Sequence, residues 1–499
     1  MDNSWRLKLG DRIFRPRRIK RFRLRRVLGI PDLFSAGYGD VGSSIYYALG
    51  IVALVALGAT PFALAIAGTI YIFNALTYAE GSAMIPEAGG SASFARHAFN
   101  DLGGFIGGWA LMLSYIVTIS ISSYTIPPYL SYFWPILKQP IISTATSMGI
   151  ILFLMLLNVI GIRESSRLNI SFITIDITTQ LTLIVLGVTL ILWVHPSTLI
   201  QRMFGSGNWP TTHHLILGVA LAALAFTGVE TVSQMAQEAR QPTEQVPKTY
   251  VLMIVTVLIL FAGISVVALS AMTPQLLGDP VNGWARDPVA GIAANLPSKT
   301  LQTIFAPLVA VLAATILLTA TNAGIMGISR LAFNLSSHRQ LPAVLGRIHP
   351  QFRTPYIAII MFCLIALLVL VPGFFTTHFF ADLGALYAFG SLLSFALAHA
   401  ALLTLRAKQP DLPRPFKLGW NIRYKGWEMP ITAILGLVAT SIIWIVLIVI
   451  QPYSRLAGIA WMVIGLVIYC LYRHRVHLPL THITQAPDIV ELKSNTRQM

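Results

Sequence analysis

Residues 37–47 read GYGDVGSSIYY, inside an apolar run from about Ile30 to Leu57. At 1.5 Å per residue, a run of that length crosses a bilayer as a helix. Gly37, Gly39 and Gly42 fall within six positions, and the carboxylate of Asp40 sits between them. Glycine weakens a helix and admits unusual backbone angles. An ionisable group at membrane depth needs a cavity or a partner. A spanning helix that breaks at mid-depth frees amides and carbonyls that line a site. The stretch predicts half of a solute site in a transporter.

Working outward, the chain has 499 residues, 55% hydrophobic and 11% charged, with mean hydropathy +0.71. That composition describes an all-α polytopic membrane protein. Apolar segments recur near 30–57, 62–85, 103–132, 140–162, 166–194, 213–236, 250–272, 301–327, 355–373, 379–405, 430–451 and 455–473. These predict twelve transmembrane helices. Cys363 and Cys470 both fall inside apolar segments and read as small buried hydrophobes. No HExxH, GxSxG or P-loop is present, and neither an enzyme nor a cofactor is indicated.

Net charge is +16, and its distribution sets the topology. With the N-terminus inside, 30 of the 35 Lys and Arg fall on the inner side and 5 outside. The positive-inside rule supports this orientation, with both termini cytoplasmic in the cell membrane. Residues 1–29 form a basic cytoplasmic segment placed against anionic lipid headgroups. Nucleic acid is not a partner, because no folded domain remains to bind it. The tail 474–499 is polar and cytoplasmic.

The segments organise as a repeat. Spans one to five (30–194) overlay spans six to ten (213–405), each half opening on a Gly-interrupted helix. In the second half that helix is LAFTGVETVSQ, 224–234, with Thr227, Gly228 and the intramembrane Glu230. Spans eleven and twelve, 430–473, lie outside the repeat. Residues 273–300 form an external loop, a candidate lid with a short helix.

IPEAGGSASF at 85–94, GGFIGGWALMLSY at 103–115, FTGVETVSQMAQEARQPTEQVPKTY at 226–250 and SRLAFNLSSHRQLPAVLGRIHPQFRTPYIAI at 329–359 carry a family resemblance. The chain resembles the amino acid–polyamine–organocation (APC) superfamily of permeases over nearly its whole membrane domain. The fold this resemblance implies is the five-plus-five inverted repeat of the LeuT type. Within the superfamily, YGDVGSSIYYALG at 38–50 is most similar to the first helix of KUP-type potassium importers and their KimA-like relatives. That likeness implies a potassium site held by Asp40 and Tyr47, Thr118 and Ser122, Thr227 and Glu230, and Tyr387.

The residues support the site on their own terms. A fixed carboxylate at Asp40 repels an anionic group and favours a cation; it also reads as a cap for the outer half-helix, accepting from amides after Val41. Glu230 suits proton exchange against a cation. Thr118, Ser122 and Thr125 share one helical face, a pattern common to cation coordination and to helix packing. Thr315, Thr319 and Asn322 repeat it in span eight. Asp176, with Thr179 and Gln180 nearby, is a second candidate proton carrier. Tyr46, Tyr47 and Tyr387 serve as oxygen donors or aromatic gates. Tyr129, Tyr132 and Trp134 read as interfacial belt residues.

The leading expectation is proton-coupled potassium import; the alternative is proton-coupled import of an amino acid, with a cationic amino acid or polyamine as the variant that tolerates Asp40. A substrate sensor without turnover is a third class, and a channel lacks any filter repeat. Oligomeric state is not encoded in any feature found.

Overall fold

The computed structural model describes residues 26–161, 166–194, 196–376, 379–424 and 427–483. Most of the basic N-terminal segment (1–25) and the end of the tail (484–499) lie outside the described residues. Among the described residues, eleven helical runs are long and apolar enough to cross a membrane. The first, Ile30–Met84, is 55 residues long and holds two spans. The chain reverses at Leu57–Ala59, where Leu57 takes φ +47 and Pro61 starts the next helix. Twelve helical segments result; span seven begins at Pro242 rather than 250, and span eight runs on to Ser337 rather than 327.

Span one comprises Ile30–Val41, a 3-10 turn Gly42–Ser44 and Ile45–Ala56. Spans two to five are Thr60–Met84, Asp101–Leu130, Pro140–Ile160 and Ser166–Gly187, the last extended by a π turn to Leu192. Span six runs from Thr212 to Gln234 with an interruption, and span seven is Pro242–Ala271. Spans eight to twelve are Lys299–Ser337, Tyr356–Leu370, Phe379–Lys408, Ile431–Ile450 and Pro452–Arg475. Only one short hairpin, between spans ten and eleven, interrupts the helical architecture of the described residues.

Span three is the centre of the bundle: 94% of its apolar window is buried, against 22% for span twelve. It packs chiefly on spans eight and ten. Span twelve is clipped to it by Trp109 and Trp461, whose rings stack at 4.5 Å and whose indole N–H groups each donate to the other's carbonyl. Cys363 is buried, but Cys470 is exposed on the outer side of span twelve. An apolar segment in a membrane protein faces lipid as readily as protein, so hydropathy alone did not separate the two.

Residues 273–298 carry two short helices, Pro274–Gly278 and Pro288–Ala294, seated on the second half of span one, Ile45–Ala56. The contact is close enough that a Cβ at Gly50 would lie 1.9 Å from the Ala285 carbonyl oxygen. Gly50→Ala is therefore expected to unseat this segment, read as faster thiol labelling of an Ala285→Cys variant. Arg286 ties the same segment to spans three and four, with its guanidinium over the Tyr124 ring and 3.1 Å from Ser143 Oγ.

Beside it, burial pushes the Asp287 carboxyl up to about 7, against the opposing pull of Lys138 and Arg286. Released to water, an aspartate returns to its ordinary value near 3.8. Between these values the seated segment binds more protons than the released one, so seating is favoured as pH falls and lost as pH rises through about 7. Relative to the rate for the unfolded protein at the same pH, which removes the thiol's own titration, labelling is expected to be slower at pH 5.5 than at pH 8, with Asp287→Asn flattening that ratio.

Candidate solute site at the interrupted helices

The two glycine-marked helices meet, but only one of them is broken. Span six stops after Phe226; Thr227 is extended, and Gly228 takes φ +98 before Glu230–Gln234 resumes the helix. Span one instead passes Gly42 at φ −66 and ψ −29, tightening to a 3-10 turn without unwinding. The expected break at Gly37, Gly39 and Gly42 is corrected accordingly: Gly37 and Gly42 serve close approach, while a Cβ at Gly39 would meet its neighbours at an ordinary 3.6 Å. A Cβ at Gly37 would lie 2.6 Å from Val232 of span six, and one at Gly42 would strike the Tyr38 ring.

Asp40 is buried at 1% exposure, facing the span-six break. Its Oδ2 accepts a hydrogen bond from Thr231 Oγ1 at 2.5 Å, and its Oδ1 has no partner. No helix amide reaches the carboxylate; its backbone carbonyl accepts from Ser43 Oγ. The capping role expected of the side chain is thus replaced by a contact across to span six. A Cβ at Gly228 would lie 2.7 Å from Asp40 Cγ, so glycine there satisfies both the positive φ and the approach of the acid. Gly228→Ala is expected to abolish solute binding while the protein still inserts, checked by ligand-induced thermal stabilisation; strain at such a position is of order 1–3 kcal/mol.

Glu230 is buried beside Asp40, and its Oε2 accepts from the Gly228 amide at 3.1 Å. Thr227 turns its hydroxyl back to the Leu224 carbonyl. Tyr387 and Thr118 meet at 2.8 Å, while Tyr47 contacts Ser44 at 2.8 Å. Both tyrosines lie within electrostatic range of Asp40. Ser122 is buried with an unpartnered hydroxyl. Thr125 bonds back to its own helix. In span eight Thr315 and Thr319 also bond back to their helix, and Asn322 accepts from Asn158, which is helix packing.

Asp176 forms a second centre. It accepts from Tyr38 at 3.0 Å, from Tyr46 by a short bond, and from Gln180 at 2.7 Å. The tyrosines lie on either side of the 3-10 turn, so one carboxylate of span five holds both halves of span one. A cavity of about 10 Å³, room for about one water, opens beside it against Thr315 and Thr319. Tyr129 is buried rather than interfacial, its hydroxyl donating to the Tyr46 carbonyl at 2.8 Å, whereas Tyr132 and Trp134 are exposed as expected. Thr231 and Tyr38 escaped sequence reasoning; a hydroxyl in a short helix and a tyrosine between two glycines carry no signal of their distant partners.

These features, two interrupted or tightened helices meeting at buried acids in a twelve-span bundle, define a transporter of solutes. A family model described as "Amino acid permease" matches residues 28–471. The chain belongs to that family, within the APC superfamily. It is 27% identical over 476 residues to the branched-chain amino acid permease BcaP of Bacillus subtilis, covering 91% of this chain and 94% of that one. The methylthioribose transporter of the same organism is 25% identical with the same coverage. The human large neutral amino acids transporter small subunit 2 is 25% identical over 434 residues, covering 83% and 74%. The protein is a multi-pass membrane transporter and not an enzyme. Potassium transport, implied by the likeness of helix one alone, is not supported; relatives across the whole chain transport organic solutes.

Proposed function

We propose that this protein is a permease for an amino acid or amine bearing net positive charge, working by alternating access around Asp40 and Glu230. The observation that carries it is a pair of buried carboxylates with an unpartnered oxygen, Asp40 Oδ1. Among the described residues, the buried basic side chains Arg96, Arg406 and Arg473 pair with Asp101 or Glu80 near the ends of the spans. They leave the acid pair for a solute ammonium to neutralise. A buried uncompensated charge is costly, so a cation is the favoured occupant. The free amide that a solute carboxylate would seek at the span-six break is already taken by Glu230. Tyr47 and Tyr387 supply faces and hydroxyls around the ammonium, and Thr118, Ser122 and Thr227 complete the polar lining.

Proton coupling belongs to the same proposal. Glu230 exchanges a proton for the ammonium, and Asp176 holds span one through Tyr38 and Tyr46 until it is protonated. Residues 30–194 and 213–405 act as the two inverted halves and 430–473 as an appended pair. Both termini face the cytosol of the cell membrane, by the Lys and Arg asymmetry.

A neutral amino acid is the second reading, favoured by the names of the branched-chain and large neutral relatives. Proteoliposomes decide: saturable uptake of lysine, ornithine or a diamine, stimulated by outside acid, supports the proposal. Uptake of leucine with no flux of any cationic solute contradicts it.

A further inference from the structure

Between spans ten and eleven, β1 (Asn421–Tyr424) pairs antiparallel with β2 (Trp427–Pro430), matching Ile422 with Met429 and Arg423 with Glu428. Side chains alternate across such a ribbon. Ile422, Trp427 and Met429 share one face; Asn421, Arg423 and Glu428 share the other. The first face is open: Ile422 is 49% exposed and Trp427 47%, and the adjoining Trp420 reaches 80%. Trp420 also holds φ +51, which a bulky side chain adopts only at a cost. A strained, nearly bare tryptophan beside an apolar ribbon face requires an occupant.

Its position identifies that occupant. Pro430 leads directly into span eleven at Ile431, whose amide donates to the Trp420 carbonyl at 2.9 Å. Trp427 lies four residues from the start of the span, at most about 14 Å along the chain. That places the open face in or beside the headgroup layer, where tryptophan concentrates. On the ribbon's opposite face Arg423 is largely exposed, and it shares the single acid Glu428 with Lys417, so the hairpin's local balance is positive. By the same Lys and Arg asymmetry, this is the leaflet that carries anionic lipid.

The other face reaches the membrane domain. Asn421 Oδ1 accepts from Arg406 of span ten at 2.7 Å, and Arg406 grips Glu80 of span two through two nitrogens at 2.7 and 2.5 Å. The Leu418 amide donates to the same carboxylate at 2.8 Å. We propose that the hairpin is an anionic-lipid contact site whose occupancy stabilises the Glu80–Arg406 junction between spans two and ten. Headgroups take the cationic edge and the ribbon's apolar face enters the interface, holding Asn421 and Leu418 against the ion pair.

The test uses the full chain with Cys363→Ala and Cys470→Ala, carrying Trp420→Cys or Trp427→Cys bearing a nitroxide. It is placed in nanodiscs of phosphatidylcholine alone or with phosphatidylglycerol. Both labels are expected to gain oxygen accessibility and lose accessibility to a water-soluble nickel chelate when phosphatidylglycerol is present. Labels that stay water-accessible in both lipids overturn the proposal, and labels equally embedded in both overturn its anionic specificity. Separately, phosphatidylglycerol is expected to raise the apparent Tm of the unlabelled protein, and Trp420→Ser with Trp427→Ser to remove that increase without lowering Tm in detergent. An increase that survives in the double variant overturns the proposal, and neither readout depends on which solute is carried.

Discussion

Asp40→Asn is expected to yield a folded, membrane-inserted protein that has lost uptake of cationic solutes. The amide keeps the shape of the carboxylate and retains an oxygen for the Thr231 hydroxyl. It removes the charge that faces a solute ammonium at 1% exposure. Truncating one partner of a buried hydrogen-bonded charge pair costs about 2–5 kcal/mol, or roughly 30-fold to more than 1,000-fold in affinity. The effect appears as a rise in apparent solute Kd with no matching loss of Tm in the unliganded state. Asp40→Glu is expected to fail as well, for a steric reason: an added methylene meets Gly228, where no Cβ has room. Equal affinity in wild type and Asp40→Asn would remove Asp40 from the site.

The largest effect on stability is expected at the other end of the membrane domain. Arg406→Ala leaves Glu80 at 0% exposure without its bidentate partner, and also releases Asn421. Breaking a buried pair from one side costs about 3–5 kcal/mol, because an uncompensated charge stays behind. A lowered apparent Tm in detergent checks this. Replacing both partners, Glu80→Leu with Arg406→Met, is expected to recover much of the loss. An Arg406→Ala protein as stable as wild type would show that Arg414, 3.9 Å from the same carboxylate, carries the neutralisation instead.

Much of this architecture is legible in the chain because bilayer crossing is a statement about length and hydropathy. Twelve apolar segments and the Thr227–Gly228 interruption needed no tertiary information. The interruption was readable since only glycine tolerates φ +98 there. The state of span one was not readable. Three glycines weaken a helix in isolation, yet Gly37 and Gly42 are explained by Val232 and Tyr38 lying against them, and packing kept the backbone helical. Of the polar residues singled out, Asp40, Glu230 and Gly228 converge, and Thr118 joins Tyr387. Thr315, Thr319 and Asn322 dissolve into packing, as stripes of hydroxyls in membrane helices commonly do. Gln180 was visible as the i+4 neighbour of Asp176, whereas Tyr38 and Tyr46 are 138 and 130 residues from it. Partners so remote follow from the fold alone. The likeness of helix one to potassium importers shows the matching risk: a short acidic motif records that a cation suits the site and leaves its chemistry open.

The most direct measurement is the apparent Tm of the purified protein against a panel of lysine, ornithine, a diamine, leucine, glutamate and potassium chloride, in wild type and Asp40→Asn. A ligand that binds only the folded state raises stability as its concentration passes its Kd. Stabilisation by one or more cationic organic solutes, absent in Asp40→Asn, is the predicted result. Stabilisation by leucine or glutamate alone, unchanged in Asp40→Asn, would contradict it and leave Asp40 as a structural partner of Thr231.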